Sequence, residues 1–193
     1  MQEKIVIVSG VVFPFQPVRP ATGRTLRAVR LIEDLYQEIS KPGLWCAQPL
    51  LAGERACLAV VDKRLYVQDG FGKWYKKPLQ HTHDFLKLPN RTVFDGVVYE
   101  EEFHPFDLLA LDGKSMLYRS VDEREVMAFQ MVRFIQHRWM FPKPTRAWLL
   151  RGARNLPMYE GIVLKDNRYP THYYPMGGTR KRTTLAWFTR KWS

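Results

Sequence analysis

Residues 45–61, WCAQPLLAGERACLAVV, decide the fold of this chain. An apolar run leads into a turn at Gly53, Arg55 follows, and a second apolar run begins. This pattern predicts a β-strand, a tight turn and a second β-strand. Leu50, an aliphatic residue, stands just before the turn.

The segments on either side predict an α+β domain with mostly antiparallel sheets and two main helices. The residues 1–43 are predicted to be a lead-in and helix of the same domain that occupies 44–193. Two residues, Asp62 and Lys63, separate ACLAVV from RLYVQDG as a hairpin turn would. Strands are predicted at ACLAVV, RLYVQDG, TVFDGVVYE, FHPFDLLALDG, AWLLRG, EGIVLKD and TLAWFTRKW.

Two stretches have apolar residues at helical spacing. The first, TGRTLRAVRLIEDLYQEIS, covers 22–40 and is ended by Pro42 and Gly43. The second, SVDEREVMAFQMVRFIQHRW, begins at Ser120, which forms a predicted capping box with Glu123. Its apolar stripe is predicted to consist of Val126, Met127, Phe134 and Ile135.

The net charge of +11 is concentrated in one part of the chain. Residues 133–193 hold 13 Lys and Arg against 2 Asp and Glu, whereas residues 1–132 balance at 17 against 17. Eleven aromatic residues also lie in 133–193, among them Trp187 and Trp192, which we expect to be core or interface anchors. Basic charge mixed with aromatic rings favours nucleic acid as the partner. Docking on an acidic protein is the alternative.

Other sequence signals argue against a membrane protein, a secreted protein and a metal site. No apolar run reaches the roughly 18 residues of a membrane span, and the first residues lack the features of a signal peptide, so we expect a soluble, intracellular protein with no membrane partner. Cys46 and Cys57 are predicted to be small buried residues. His81 and His83 have no third ligand nearby in sequence, which favours a polar loop without a metal.

An ordered set of motifs carries a resemblance to a known family. QPLLAGER is followed by VFDGVVYE, by FDLLALDG with DERE shortly after, by EGIVLK and finally by WFTRK. In this order the set resembles the nucleotidyltransferase (adenylation) domain of ATP-dependent DNA ligases and, more distantly, RNA ligases and mRNA capping enzymes. The resemblance covers roughly residues 44–192. It implies an ATP-grasp-like nucleotidyltransferase fold with antiparallel sheets flanked by helices.

The family's chemistry implies what each motif should supply. A lysine of the first motif attacks the α-phosphate of ATP, carboxylates hold the ribose and a metal, and further lysines neutralise phosphate. In this sequence the nucleophilic lysine falls on Leu50, and two carboxylates fall on Ala52 and Val97. One lysine of the last motif falls on Thr189. The resemblance therefore implies a chain without catalytic residues and without a metal site.

Other family positions keep their residue types. Phe106 matches the aromatic residue that stacks on the base, and ATP with Mg²⁺ is expected only if the remnant pocket is open. The remnant nucleotide pocket is predicted to comprise Gly53, Arg55, Phe106, Glu160, Lys165 and Lys191. The residues predicted to bind nucleic acid are Arg146, Arg151, Arg154, Arg180, Lys181, Arg182, Arg190 and Lys191.

Together these features predict a catalytically inactive ligase-like domain that binds nucleic acid, DNA rather than RNA. Three alternatives stay open: a structural subunit of a protein or ribonucleoprotein assembly, a divergent ligase with a displaced lysine, and a nucleotide sensor that binds ATP without an adduct. Lys41 and Lys63 are the displaced lysines nearest in sequence, and the sensor would use Phe106, Glu160 and Lys165. Because the sequence ends at Ser193, directly after the last motif, no C-terminal OB-fold is predicted, and the family's lid for adenylate transfer would be missing.

Overall fold

A computed structural model of the chain describes residues 6–8, 11–13, 18–20, 45–69, 73–116, 118–138, 158–166, 173–175 and 187–191. These residues form short and long β-strands, one α-helix, α1 at Val121–Phe134, and one 3₁₀ helix at Thr82–Lys87. The strands are β1 Val6–Val8, β2 Val11–Phe13, β3 Val18–Pro20, β4 Trp45–Leu51, β5 Glu54–Val61, β6 Arg64–Asp69, β7 Thr92–Tyr99, β8 Glu102–Leu111, β9 Lys114–Ser115, β10 Tyr159–Asp166, β11 Tyr173–Pro175 and β12 Trp187–Lys191.

All strand pairs among these elements are antiparallel, as the sequence predicts. A five-stranded sheet has the order β6-β5-β7-β8-β9, and a three-stranded sheet has the order β12-β10-β4. Two further sheets pair β1 with β2 and β11 with β3. The predicted strand at AWLLRG and the predicted helix at 22–40 lie outside the described residues.

Two-residue turns with left-handed backbone build the five-stranded sheet. The turn of Asp62 and Lys63 joins β5 to β6 with φ angles of 49° and 58°, and the turn of Glu100 and Glu101 joins β7 to β8 with 50° and 64°. Such turns twist in the same sense as the strands that they connect. The hairpin predicted at Asp62 and Lys63 is thus confirmed.

Apolar residues cover both faces of the five-stranded sheet, which is why its strands are rich in Val, Leu and Phe. One face packs against α1 and the 3₁₀ helix, where the Phe85 ring lies 5.7 Å from Phe94 and 5.9 Å from Phe103. The opposite face carries Val97 and Phe106, and Leu50 of β4 packs against it. The two larger sheets therefore meet at this second face.

The helix α1 starts as predicted but presents a different face to the core. Ser120 and Glu123 form the predicted capping box. The predicted apolar stripe is wrong in part, because Val126 is 47% exposed and Phe134 is 69% exposed. The buried side chains of the helix are Val121, Arg124, Glu125, Ala128 and Val132. Polar partners in the core hold Arg124 and Glu125 inward, and this rotates Val126 and Phe134 outward.

No helix among the described residues is both long and apolar enough to cross a membrane.

Candidate functional site

The three-stranded sheet aligns three of the sequence motifs in one row. Leu50 of β4 lies opposite Gly161 of β10, and Gly161 lies opposite Lys191 of β12. Glu160 adjoins this row at the irregularity between Tyr159 and Gly161. The backbone thus brings Glu160 and Lys191 close to Leu50.

Lys165 lies further from that row than the other remnant positions. It pairs with Cys46 on one side and Trp187 on the other. The four residue steps from Gly161 correspond to about 13 Å along the strand. Of the remnant positions on β10 and β12, Lys165 is therefore the one that the fold holds away from Leu50.

Leu50 is half-buried in an apolar region formed by several motifs. It packs against a cluster of buried residues that includes Val97 and Phe106. Val97 is 7% exposed and Phe106 is 8% exposed. The three positions Leu50, Val97 and Phe106, which the motif resemblance singled out, thus belong to one packed region, made of aliphatic and aromatic side chains.

Gly53 places the turn after β4 directly against β7. Its φ is +144°, and a Cβ atom there would lie 2.4 Å from the carbonyl oxygen of Val98 and 2.7 Å from Cγ1 of Val97. Ala52 fixes the other side of the turn, since its N–H donates to the carbonyl of Met158 at 2.8 Å. Only glycine combines this backbone angle with so close an approach.

Arg55 is bound to a buried carboxylate and to the ring of Phe106. Its Nε donates to Oδ1 of Asp95 at 2.9 Å, and its Nη2 donates to the other carboxylate oxygen. Asp95 has no exposed surface. The Cζ atom of Arg55 lies 5.4 Å from the centroid of Phe106. This guanidinium therefore neutralises Asp95 and covers one face of the ring that was predicted to stack on a base.

Cys57 lies next to this ion pair as a half-buried free thiol. Burial raises the pKa of the thiol, Asp95 raises it further, and Arg55 acts in the opposite direction. The thiol is thus protonated at neutral pH and is a poor nucleophile.

A buried polar network beside the site is not predicted by the sequence analysis. Arg124 donates from Nε and Nη2 to the two carboxylate oxygens of Asp107 at 2.9 and 3.0 Å. Gln48 of β4 donates from Nε2 to Glu125 at 2.5 Å and to the carbonyl of Phe106 at 3.3 Å. The network ties the three-stranded sheet to α1 and to β8. One signal could have indicated it: Asp107 interrupts an apolar central strand, where a carboxylate requires a cationic partner.

The histidines of QHTHDF occupy the start of the 3₁₀ helix. His81 precedes it with a φ of 54°, and its Nε2 lies 3.4 Å from Oε1 of Glu102. His83 is exposed. Across the described ranges, no three His, Cys, Asp or Glu side chains are grouped so that they could hold a metal ion.

The predicted nucleic-acid contacts fall largely outside the described residues. Arg190 and Lys191 are neighbours on β12. The other predicted contacts lie outside: Arg146, Arg151, Arg154, Arg180, Lys181 and Arg182.

No protein-family model and no curated protein matches the chain. Solved structures do match it. One is a mycobacterial DNA ligase D in complex with ATP and MES, which is 18% identical, with a TM-score of 0.61 and a match covering 78% of this chain and 55% of that one. Another is the ligase domain of M. tuberculosis LigD, which is also 18% identical, with a TM-score of 0.61 and coverage of 78% and 54%.

The chain spans about half the length of these solved structures. At this identity the likeness concerns the fold, because one fold can carry many functions. The described strands are antiparallel, the described helices are few, and the Leu50, Gly161 and Lys191 positions are aligned in one sheet. The chain therefore has a fold similar to the nucleotidyltransferase domain of ATP-dependent DNA ligases.

Proposed function

We propose that the chain is a catalytically inactive, ligase-like nucleotidyltransferase domain that acts as a basic nucleic-acid-binding module. The observation that carries the first half of the proposal is the packing of Leu50 against the cluster that contains Val97 and Phe106. Side chains of the protein occupy the region in which the family's chemistry would need a nucleophile and carboxylates.

The chemistry of the substituted positions supports inactivity. Leucine has no lone pair and cannot attack a phosphate at any pH. Ala52 and Val97 supply no oxygen to a divalent cation, although hard cations such as Mg²⁺ require oxygen ligands. Lys63, one of the two displaced lysines considered, lies beyond the end of β5, and the seven residue steps from Glu54 to Val61 correspond to about 23 Å along the strand. It is too distant to replace the lysine.

The surroundings of Phe106 argue against the nucleotide-sensor alternative. The ring is 8% exposed, and the Arg55 guanidinium covers one of its faces. A base that stacked on this ring would have to displace either Arg55 or the packed side chains. Moving Arg55 would leave the buried carboxylate of Asp95 without its cation, which is strongly unfavourable.

The distribution of charge supports nucleic acid as the partner. Residues 133–193 hold the whole net charge of +11, together with eleven aromatic residues. Phosphate contacts from Lys and Arg release counterions and bind without reading the sequence of bases. Arg190 and Lys191 bring two of these charges onto β12, beside the strand of Glu160. DNA is the nucleic acid that we propose, on the basis of the similarity to DNA ligases.

An adenylation assay tests the first half of the proposal. The purified chain, incubated with α-labelled ATP and Mg²⁺ or Mn²⁺, should form no covalent AMP adduct. The Leu50→Lys variant should form none either, because Ala52 and Val97 still supply no carboxylate for the metal. Label on the unmodified chain would end the proposal in favour of a divergent ligase, and peptide mapping would identify the lysine. Saturable ATP binding without label would favour the sensor.

A salt series tests the second half. Binding of fluorescent duplex, nicked duplex and single-stranded DNA should weaken so that log affinity falls linearly with log salt, which is the signature of counterion release. A chain that binds none of the three at low salt would contradict the proposal. A structural role in a protein assembly would then be favoured.

A further inference from the structure

The two ends of the five-stranded sheet differ in charge. Glu54, Asp69, Glu100, Glu101 and Glu102 lie at one end of its strands, together with the three lysines of the segment that follows β6, Lys73, Lys76 and Lys77. At the opposite end lie four cations, which we call the basic row: Lys63, Arg64, Arg91 and Lys114. Since residues 1–132 contain equal numbers of both signs, this separation arises from the fold and not from composition.

Backbone hydrogen bonds hold the turns of the basic row together. Arg91 donates its N–H to the carbonyl of Val60 at 2.7 Å, and Gly113 donates its N–H to the carbonyl of Arg91 at 3.2 Å. Asp62 and Asn90 bind each other, through the Asp62 N–H at 2.7 Å and the Asn90 side-chain amide at 3.0 Å. Three connections of the sheet are thereby fixed side by side.

The cations of the basic row are available to a partner. All four are exposed, and none of them forms an ion pair with any residue in the described part of the chain. Lys87 shows the contrast, because its Nζ lies 2.6 Å from the Asp84 carboxylate. Two carboxylates, Asp62 and Asp112, lie in the turns at the same end, so the four cations leave this end with a formal net charge of 4 − 2 = +2.

The dimensions of the basic row fit a nucleic-acid backbone. The row extends across the sheet from β6 to β9, and neighbouring strands are about 4.8 Å apart, so it is roughly 15–20 Å long. Phosphates of one strand of a duplex recur about every 3.4 Å along the axis, so the row matches about five of them. A line of phosphates can contact cations at both edges of the row and at its middle, where the row has Lys63 and Arg64, Lys114, and Arg91.

The basic row is separate from the remnant pocket. The six residue steps from Arg55 to Val61 correspond to about 20 Å along β5. Nucleic acid bound at the row would therefore not need Leu50, Val97 or Phe106.

We propose that the basic row is a contact surface for the phosphate backbone of nucleic acid, in addition to the basic last third of the chain. This inference rests on the proposed nucleic-acid-binding function. It adds a place at which the backbone is held and makes binding independent of the remnant pocket.

Charge reversal at two matched places tests the inference. The row variant combines Lys63→Glu, Arg64→Glu and Lys114→Glu. The control variant combines Lys73→Glu, Lys76→Glu and Lys77→Glu, three exposed cations in the segment that follows β6 at the acidic end. Each variant lowers the net charge by six, from +11 to +5. Arg91 is left in place because its side chain lies against Gly113.

Affinity for a 20-nucleotide single strand and the matching duplex is measured on the full chain between 50 and 200 mM salt. The row variant should bind about tenfold more weakly or worse, with a log–log salt slope reduced by about 2 to 3, and the control should lose less than about threefold. Circular dichroism and urea midpoints check that both variants are folded.

The outcomes separate this inference from the function on which it rests. Equal affinities of the row variant and the unmodified chain, or equal losses in both variants, would overturn the inference and leave nucleic-acid binding standing. Failure of the unmodified chain to bind at low salt would overturn both. Row-dependent binding of polyglutamate, without binding of nucleic acid, would assign the row to an acidic protein and also overturn the inference.

Discussion

Leu50 and Val97 pack in one cluster with Phe106. The motif resemblance predicts a lysine and a carboxylate of the ligase family at these two positions. Each fully buried aliphatic side chain stabilises a fold by about 1.5 to 3 kcal/mol, whereas buried unpaired charges destabilise it. Under the proposed loss of chemistry, packing is the property that remains at these positions.

Gly53 provides a prediction at the scale of the residue. We expect Gly53→Ala to lower the free energy of unfolding by about 2 to 4 kcal/mol, because the new Cβ would meet the Val98 carbonyl oxygen and the Val97 side chain in a strained backbone. Urea unfolding measures the effect.

Gly113→Ala is the matched control for that measurement. Gly113 also has a positive φ, +73°, but its Cβ would meet only the flexible Arg91 side chain, at 3.3 Å. The free energy of unfolding should fall by only about 1 kcal/mol in this variant, since backbone strain alone contributes. Equal losses at the two glycines would show that the contact of Gly53 with β7 has no energetic consequence.

At the scale of the residue, the sequence predicts which residues stand at the motif positions better than it predicts which residues contact one another. That the family's nucleophile and two carboxylates fall on Leu50, Ala52 and Val97 is predicted from the motif order alone and stays a prediction. The sequence does not predict that Arg55 binds Asp95 and lies over Phe106, because these residues meet only after two hairpins have formed. Pairing between residues 40 positions apart depends on strand register, and no local signal specifies that register here.

At the scale of the element, the start of α1 depends on residues that are close in sequence, whereas its buried face depends on residues that the fold brings near. Its start follows from Ser120 and Glu123, which satisfy each other's backbone groups whatever the helix packs against. Its buried face depends on Asp107 and Gln48, the partners of Arg124 and Glu125. The sequence analysis therefore places the start correctly but not the buried face.

A pair of substitutions tests which face of α1 is buried. Val132 has no exposed surface, so Val132→Ser should lower the free energy of unfolding by about 2 to 4 kcal/mol. Val126→Ser makes the same chemical change at a position that is 47% exposed, and should cost less than about 0.5 kcal/mol. Urea midpoints compare the two, and similar losses would support the apolar stripe predicted from the sequence.

At the scale of the whole molecule, the buried His104 and the half-buried His137 link stability to pH. His104 is 2% exposed, and His137 lies 3.0 Å from the carbonyl of Phe103 and packs on the Phe85 ring. Burial lowers the pKa of both imidazoles, and Glu102 opposes this in part. The unfolded chain, with an ordinary histidine pKa of 6.5, therefore binds more protons than the folded chain.

Stability should consequently fall on acidification. The contribution of the two neutral imidazoles is complete above pH 6.5 and is lost as the pH drops toward their lowered pKa values. Urea midpoints between pH 7.5 and 5.5 measure this loss. Replacing His104 with Gln should flatten the profile, and His83→Gln, at an exposed position, should not change it. A profile without slope in the unmodified chain would contradict the assignment.

The five-stranded and the three-stranded sheet differ in how far apart in sequence their paired strands lie, so we expect them to form at different stages of folding. The five-stranded sheet uses residues 54–115 and is built mainly from neighbouring hairpins, so its loops close at little entropic cost. The row of Leu50, Gly161 and Lys191 instead requires β4 to pair with β10, and Leu50 and Gly161 are more than a hundred residues apart. During synthesis on the ribosome, we expect the five-stranded sheet to form early. The strand β4 lacks its partner until β10 has been synthesised, and until then the segment around Leu50 is an unpaired apolar strand that chaperones can bind.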